Sequence, residues 1–158
     1  MKIAFTVYGK PEPQGSKTPW LPRYKGGAFV TGRNGQPVIA TMDSNKRLKP
    51  WRQEVVRTAL DAVRDPKVQL DGVVPFPKGV AVHLVLRFFL EKPASVPKRR
   101  LYPVVKPDAS KLLRAVEDSL TGTVWHDDAQ VVSTHVEKHY GTPQRVEIEV
   151  CSIEEKAA

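Results

Sequence analysis

The stretch GVAVHLVLRFFLE, residues 79 to 91, carries the strongest strand pattern of the sequence. Its side chains are nearly continuously apolar, a pattern typical of a strand that is covered on both faces of a sheet. We therefore predict that this strand is central and that the other elements pack around it. His83 within the stretch is interpreted as a packed strand residue and not as a metal ligand.

Two main helices are predicted on either side of this strand. Apolar residues recur at helical spacing between residues 109 and 121, and Gly122 follows where such a helix would end. The other helix lies earlier in the chain and is expected to begin at a Ser44 cap and to run to about Arg64.

Alternating apolar and polar residues predict the remaining strands, which lie at residues 2 to 9, 131 to 139 and 144 to 152. The last two are expected to pair with each other as antiparallel neighbours. Residues 28 to 31 and 37 to 42 flank a Gly-Arg-Asn-Gly turn, which favours a short hairpin. The predicted fold class is α+β: a mixed β-sheet of about five strands with two main helices, in a single domain over residues 1 to 158.

The composition narrows the classes of partner. The 158 residues include 25 Lys and Arg against 17 Asp and Glu, a formal net charge of +8. Such a field attracts polyanions, so nucleic acid is the leading partner. No apolar run approaches the roughly 18 residues of a membrane span, and we expect no membrane partner. The N-terminus lacks a signal-peptide cleavage site, and Cys151 is the single cysteine, so the expected compartment is the cytoplasm.

Two proline-rich segments concentrate positive charge beside aromatic residues. They are KPEPQGSKTPWLPRYKG at residues 10 to 26 and KPASVPKRRLYPVVKP at residues 92 to 107. Cations neutralise phosphates and aromatic rings stack on bases, although a proline-rich surface loop packed on the core explains the same composition. The cations that would contact DNA are Lys17, Arg23, Lys25, Lys98, Arg99, Arg100 and Lys106.

The acidic residues between positions 108 and 128 have two interpretations. Asp108 can cap the following helix, Asp118 can pair with Arg114 one turn earlier, and Asp127 with Asp128 can form a polar turn. Alternatively, the strand that follows returns the turn towards the start of the helix. Carboxylates that converge beneath basic loops are what a magnesium-dependent phosphodiesterase requires.

Four segments in this order resemble the RusA family of Holliday junction resolvases, especially its phage and actinobacterial members. They cover most of the chain: FTVYGKPEPQGSK, KPWR, KPDASKLLRAVEDSLTG and VWHDDAQVV. The resemblance implies a homodimeric, Mg²⁺-dependent endonuclease, with Mn²⁺ as a substitute, in a bacterial or phage-infected cell. Such an enzyme cuts four-way DNA junctions symmetrically, by attack of water on the phosphodiester and release of a 3′ hydroxyl.

The resemblance also implies roles for individual residues. It places Asp108 and Asp128 on the two essential acidic positions, with Asp127 beside the second and Asp118 on a recurrent helical acid. Lys111 and Arg114 match basic positions and are candidates to stabilise charge on the scissile phosphate.

One position departs from the family pattern. Ser110 replaces the second aspartate of an Asp-x-Asp pair, and a serine hydroxyl ligates Mg²⁺ without negative charge. Metal affinity is therefore expected to fall. A catalytically silent protein that still binds branched DNA is the main alternative. A basic RNA-binding domain is a third possibility, but the sequence has no RNP or GxxG signal.

Overall fold

The computed structural model describes residues 1–64 and 74–154. The strands are β1 (Lys2–Tyr8), β2 (Lys17–Trp20), β3 (Ala40–Asp43), β4 (Val82–Leu90), β5 (Val131–Tyr140) and β6 (Arg145–Ser152). The helices are α1 (Leu48–Val63) and α2 (Ala109–Leu120), and a 3₁₀ helix spans Asp128–Gln130. The predicted α+β class, with a mixed sheet and two main helices, is confirmed.

Strand β4 lies inside the main sheet, whose order is β1-β6-β4-β5. It pairs antiparallel with β6 and parallel with β5, so that Leu86 faces Ile148 on one side and Val136 on the other. Leu84, Leu86 and Phe88 are fully buried. The central position predicted for this strand is confirmed, because its apolar residues gain the most from neighbours on both sides.

The predicted pairing of the last two strands is wrong. Strand β4 separates β5 from β6, and the short connection between them crosses the end of β4. At this crossing the Gly141 amide donates a hydrogen bond of 2.9 Å to the Leu90 carbonyl. A Cβ atom at position 141 would lie only 2.8 Å from Phe89 Cδ1. Glycine is therefore favoured at position 141, because a larger residue would collide with the Phe89 side chain.

Helices α1 and α2 pack against each other and share one core with the sheet. The buried helical residues recur at the predicted spacing: Leu48, Trp51, Val55, Ala59 and Val63 in α1, and Leu112, Ala115, Val116 and Leu120 in α2. Gly122, with φ of +76°, follows the end of α2 as expected. Within the described residues, neither helix has the length and apolarity that a membrane crossing needs.

The Ser44 cap predicted for α1 is wrong, because the helix begins at Leu48 with Arg47 in the N-cap position. A helix that began after Ser44 would place Pro50 in its second turn, where the missing amide and the ring disrupt helical bonding. A start at Leu48 keeps Pro50 in the first turn, where amides have no helical partner.

The segment between β1 and α1 forms an extended arm. Strand β2 within it pairs antiparallel with β3, from Lys17 opposite Asp43 to Trp20 opposite Ala40. The predicted hairpin turn is present as an antiparallel bridge between Thr31 and Pro37, but residues 40 to 43 pair with β2 and not with residues 28 to 31. Aromatic and aliphatic side chains of the arm are exposed, including Trp20, Leu21, Tyr24 and Ile39.

Candidate functional site

The connection from β4 through α2 to β5 decides where the acidic residues lie. Because β4 and β5 are parallel, the helix that joins them runs back along the sheet. Its first residue lies near the end of β4, and its last residue lies near the start of β5. The acids before and after α2 are therefore at opposite ends of the strands.

Asp108 occupies the N-cap position of α2, but its side chain accepts no capping hydrogen bond. The predicted position is thus correct and the predicted capping role is wrong. Its Oδ2 lies 3.9 Å from Lys111 Nζ, and both side chains are about half exposed. The carboxylate is held beside a cation and beside the positive end of the helix.

A cavity of about 500 Å³ opens beside this carboxylate, and we call it the Asp108 cavity. Its polar lining includes Lys10, Glu12, Gln14, Lys106, Asp108 and Lys111. Lys138 in β5 fixes one wall, since its Nζ donates to the carbonyls of Val105, at 3.0 Å, and Pro107, at 2.8 Å. Lysines and carboxylates share this space, so the cavity suits a phosphate and a hard cation together.

Asp128 lies beyond the other end of α2 and is positioned by buried neighbours. Its Oδ1 accepts a hydrogen bond from Thr121 Oγ1, and the same hydroxyl accepts one of 3.2 Å from Trp125 Nε1. Trp125 is fully buried. Asp127 caps the following 3₁₀ helix, with Oδ1 2.8 Å from the Ala129 amide. Gln130 fastens the turn through a 2.8 Å bond from its Nε2 to the Pro77 carbonyl.

Glu117 is a candidate residue that the sequence reasoning missed. Burial raises the pKa of the Glu117 carboxyl, the nearby carboxylates of Asp128 and Asp118 raise that pKa further, and Arg114 opposes the shift. The negative charge of Asp128 therefore acts on the Glu117 carboxyl, and a bound cation would relieve this repulsion. The sequence signal was weak, because the two residues are brought together only by the fold of the turn between them.

The two acidic ends do not converge within one chain. Thirteen helical positions separate Asp108 from Thr121, which corresponds to roughly 20 Å at a helical rise of about 1.5 Å per residue. The expectation that the turn at Asp127 and Asp128 returns to the start of α2 is thus wrong for a single copy. Across the described ranges 1–64 and 74–154, no three His, Cys, Asp or Glu side chains group in a way that could hold a metal ion.

Asp118 and Arg114 do not form the predicted pair. Asp118 Oδ2 lies 3.5 Å from Arg52 of α1, and a second nitrogen of Arg52 donates a 2.9 Å hydrogen bond to the Asp118 carbonyl. Asp118 therefore joins the two helices. The Arg114 side chain is exposed and forms no ion pair with Asp118 in the described residues. Arg114 remains a candidate for a contact with a phosphate.

Comparison with known proteins identifies the family of this chain. Residues 24–151 match the family Endodeoxyribonuclease RusA. The chain belongs to the RusA endodeoxyribonuclease family. It is also similar to the uncharacterized protein YqaN of Bacillus subtilis (strain 168), with 31% identity over 152 residues that cover 92% of this chain and 93% of that protein.

In this RusA-family chain, Ser110 lies in the first turn of α2 and is exposed. Asp108 has an extended backbone in the N-cap position, and Ser110 is the second residue of the helix itself. Among the described residues that line the Asp108 cavity, Ser110 does not occur.

The second basic segment presents its cations to solvent. Lys92 Nζ donates to the carbonyls of Lys98, at 2.9 Å, and Arg100, at 2.7 Å, and so folds the segment around itself. Lys98, Arg99 and Arg100 are exposed, while Lys106 lines the Asp108 cavity. A preformed loop with exposed cations is suited to phosphate contacts.

In this RusA-family chain, the Arg23 side chain of the arm is held by contacts with neighbouring residues. The Arg23 guanidinium lies 4.0 Å from the centre of the Phe29 ring and donates a 3.2 Å bond to the Gly27 carbonyl. Lys25 is exposed. Lys17 is a residue of β2, and its side chain lies outside the described part of the structure. Arg23 thus stiffens the arm and leaves Lys25 to reach outwards.

Proposed function

We propose that this RusA-family protein is a homodimeric, Mg²⁺-dependent endodeoxyribonuclease that resolves four-way DNA junctions. The observation that carries the proposal is the Asp108 cavity. In this cavity the Asp108 carboxylate makes no capping hydrogen bond and shares the lining with Lys106 and Lys111 at the positive end of α2. Membership of the endodeoxyribonuclease family supports the reaction class.

A second copy of the chain completes the proposed site. Asp108 and Asp128 are too far apart within one copy to share a cation, which binds oxygen ligands at about 2.0 to 2.1 Å. A two-fold axis that sets the helices of two copies in opposite directions would place Asp108 of each copy near the partner's Asp128. The lysine-rich end of one copy would then face the acidic end of the other, which favours the arrangement electrostatically.

The proposed roles follow from the two ends of α2. Asp108 and the partner's Asp128 are the metal ligands, with Asp127 as a further oxygen donor beside Asp128. Ser110 does not line the Asp108 cavity and is not assigned a ligand role. Bound there, Mg²⁺ would act as a Lewis acid towards the scissile phosphate and would acidify a water molecule, and Mn²⁺ would substitute for it. Lys111 and Arg114 would stabilise the charge that develops on the phosphate, and Thr121 would hold Asp128 in place.

A protein that binds junctions without cutting them is the second candidate function. The neutral hydroxyl at Ser110, in place of a carboxylate, favours it because the site has one charge fewer. This protein would keep the affinity for branched DNA and the salt dependence of binding, and divalent metal would not convert the junction to product.

We expect the wild-type protein to bind a synthetic four-way junction more tightly than a linear duplex of the same sequence. With Mg²⁺ or Mn²⁺ it should convert the junction to nicked duplexes and leave the linear duplex intact, and a chelator should stop cleavage without stopping binding. Gel-shift and cleavage assays over a divalent-metal titration measure both properties. Binding without cleavage at any metal concentration would support the silent protein, and equal affinity for both DNAs would contradict the proposed substrate.

Replacement of Lys98, Arg99 and Arg100 by alanine should flatten the salt dependence of junction binding. Each phosphate contact contributes about 0.9 to the slope of log affinity against log salt concentration, so loss of all three should lower the slope by about 2 to 3 per copy. A matched control removes Lys2 and Arg57, which are exposed but already paired with Glu149 and with Glu54 and Asp61. An unchanged slope in the triple variant would show that the loop does not contact phosphate.

A further inference from the structure

The loop that follows β1 forms one wall of the Asp108 cavity and brings a second carboxylate into it. Glu12, Asp108, Lys10, Lys106 and Lys111 all line this space. Glu12 is far from Asp108 in the sequence, and its neighbourhood contains no acidic motif. The fold therefore places an acid beside Asp108 that the local pattern around Asp108 does not contain.

Three hydrogen bonds hold this loop in place, one to the first turn of α2 and two to the residue Asn45 before α1. The Gln14 amide donates to the Lys111 carbonyl at 2.9 Å. The Asn45 side chain, just before α1, donates to the Pro13 carbonyl at 2.9 Å and to Glu12 Oε2 at 3.1 Å. Glu12 is partly buried and is oriented by Asn45, so its position does not depend on a flexible surface side chain.

Gln14 adds an amide side chain to the wall of the cavity. Its side chain lines the same cavity, and its Oε1 atom is buried. Within residues 1–64 and 74–154 this oxygen has no hydrogen-bond partner. A buried acceptor without a partner is unfavourable unless a donor, a water molecule or a cation meets it. Carboxylate and amide oxygens are the ligands that hard divalent cations prefer.

We infer that Glu12 supplies a further carboxylate of the metal site, in addition to Asp108 and the partner's Asp128, and so provides the negative charge that Ser110 lacks. This inference rests on the proposed function, in which Asp108 is a metal ligand. Glu12 and Asp108 would hold the cation, Gln14 would offer a neutral oxygen, and Lys10, Lys106 and Lys111 would receive the phosphate. Ser110 is not among the described residues that line this cavity, whereas Glu12 and Asp108 both line it.

The test measures Mn²⁺ binding to the full-length protein without DNA, by the electron paramagnetic resonance signal of free Mn²⁺. Glu12→Gln keeps an oxygen that accepts from Asn45, so the loop should stay in place while the charge is lost. We expect Glu12→Gln and Asp108→Asn each to weaken Mn²⁺ binding about tenfold or more, because affinity follows the number of anionic ligands. Ser110→Asp should change it less than about twofold.

Glu91→Gln is the matched control, since Glu91 is an exposed glutamate that lines a neighbouring cavity and not this one. Its Mn²⁺ affinity should equal that of the wild type. Thermal melting without metal should be alike for all variants, which separates loss of a ligand from loss of the fold. In junction cleavage, Glu12→Gln should need about tenfold more Mg²⁺ for half the maximal rate.

The measurements distinguish a failure of the Glu12 inference from a failure of the proposed nuclease function. If Asp108→Asn loses Mn²⁺ while Glu12→Gln binds it as the wild type does, the inference is wrong and the proposed nuclease stands. A rise in affinity for Ser110→Asp with no effect of Glu12→Gln would assign the second acid to position 110. If the wild type binds no Mn²⁺ and cuts no junction, both the inference and the proposed function are rejected.

Discussion

Two inactive variants, Asp108→Asn and Asp128→Asn, should recover junction cleavage when they are combined in one dimer. Each variant alone is expected to cut roughly a hundredfold more slowly or worse, because each loses an anionic metal ligand. In the proposed dimer each site takes Asp108 from one copy and Asp128 from the other. A mixed dimer then has one site with both acids and one site with neither.

The number of complete sites in a mixed dimer determines both the amount and the kind of product. Random exchange makes half of the dimers mixed, and each has one working site, so about a quarter of the wild-type sites return. Because a mixed dimer can cut only one strand, nicked junctions should accumulate in place of symmetrically resolved duplexes. If both acids served the same site within one copy, every site in the mixture would remain incomplete and no cleavage would return.

A chain that carries both substitutions is the matched control. Mixed with wild-type protein, it should inactivate both sites of each mixed dimer, since each site then contains one asparagine. A site built within one copy would instead leave the wild-type chain fully active. Co-expression with two affinity tags and purification of the mixed dimer removes any dependence on the rate of subunit exchange.

The sequence predicted where the strands and helices lie better than it predicted which strands pair with each other. The apolar stretch around Leu86 identified the central strand, because covering both faces of a strand demands such a composition. The alternation in β5 and β6 showed which residues face the core, but alternation is the same for parallel and antiparallel partners. The intervening position of β4 depends on the path of the connection at Gly141, which is a tertiary property.

The candidate site was predicted as a set of residues and not as a geometry. The motifs identified Asp108 and Asp128, but their spacing of about twenty residues in sequence suggested proximity, whereas a helix that runs back along the sheet separates them. Glu12 was missed because it lies far from the acidic segment. Glu117 was missed although it lies inside that segment, because the motif gives it no role. Each reaches its place through contacts distant in sequence, from Asn45 in one case and around Asp128 in the other.

The second large effect is expected at Thr121, which touches no phosphate in the proposed mechanism but positions Asp128. Its hydroxyl accepts from Trp125 Nε1 and donates to Asp128 Oδ1. The Glu117 carbonyl lies 3.2 Å from the same hydroxyl, but a hydroxyl has one proton to donate. Thr121→Val keeps the shape of the side chain and removes both bonds. We expect it to lower Mg²⁺ affinity roughly 10- to 100-fold, as loss of a residue that orients a metal ligand does.

Thr121→Val should also lower the stability of the fold, and this loss must be separated from the loss of Mg²⁺ affinity. Thr121→Val leaves the buried Trp125 Nε1 without its acceptor, at a cost of about 1 to 3 kcal/mol in the free energy of unfolding. Lost stability lowers the fraction of folded protein at every Mg²⁺ concentration. Lost positioning instead shifts the Mg²⁺ curve, so the cleavage rate of folded protein should approach the wild-type rate when Mg²⁺ is raised.

Thr121→Ser and Thr123→Val complete the comparison. Serine keeps the hydroxyl, so Thr121→Ser should retain the wild-type Mg²⁺ curve. Thr123 lies two residues further on and lines the groove between α1 and α2, so Thr123→Val makes the same chemical change away from Asp128. If Thr121→Val lost stability with an unshifted Mg²⁺ curve, the hydroxyl would be part of the core only, and the position of Asp128 would not depend on it.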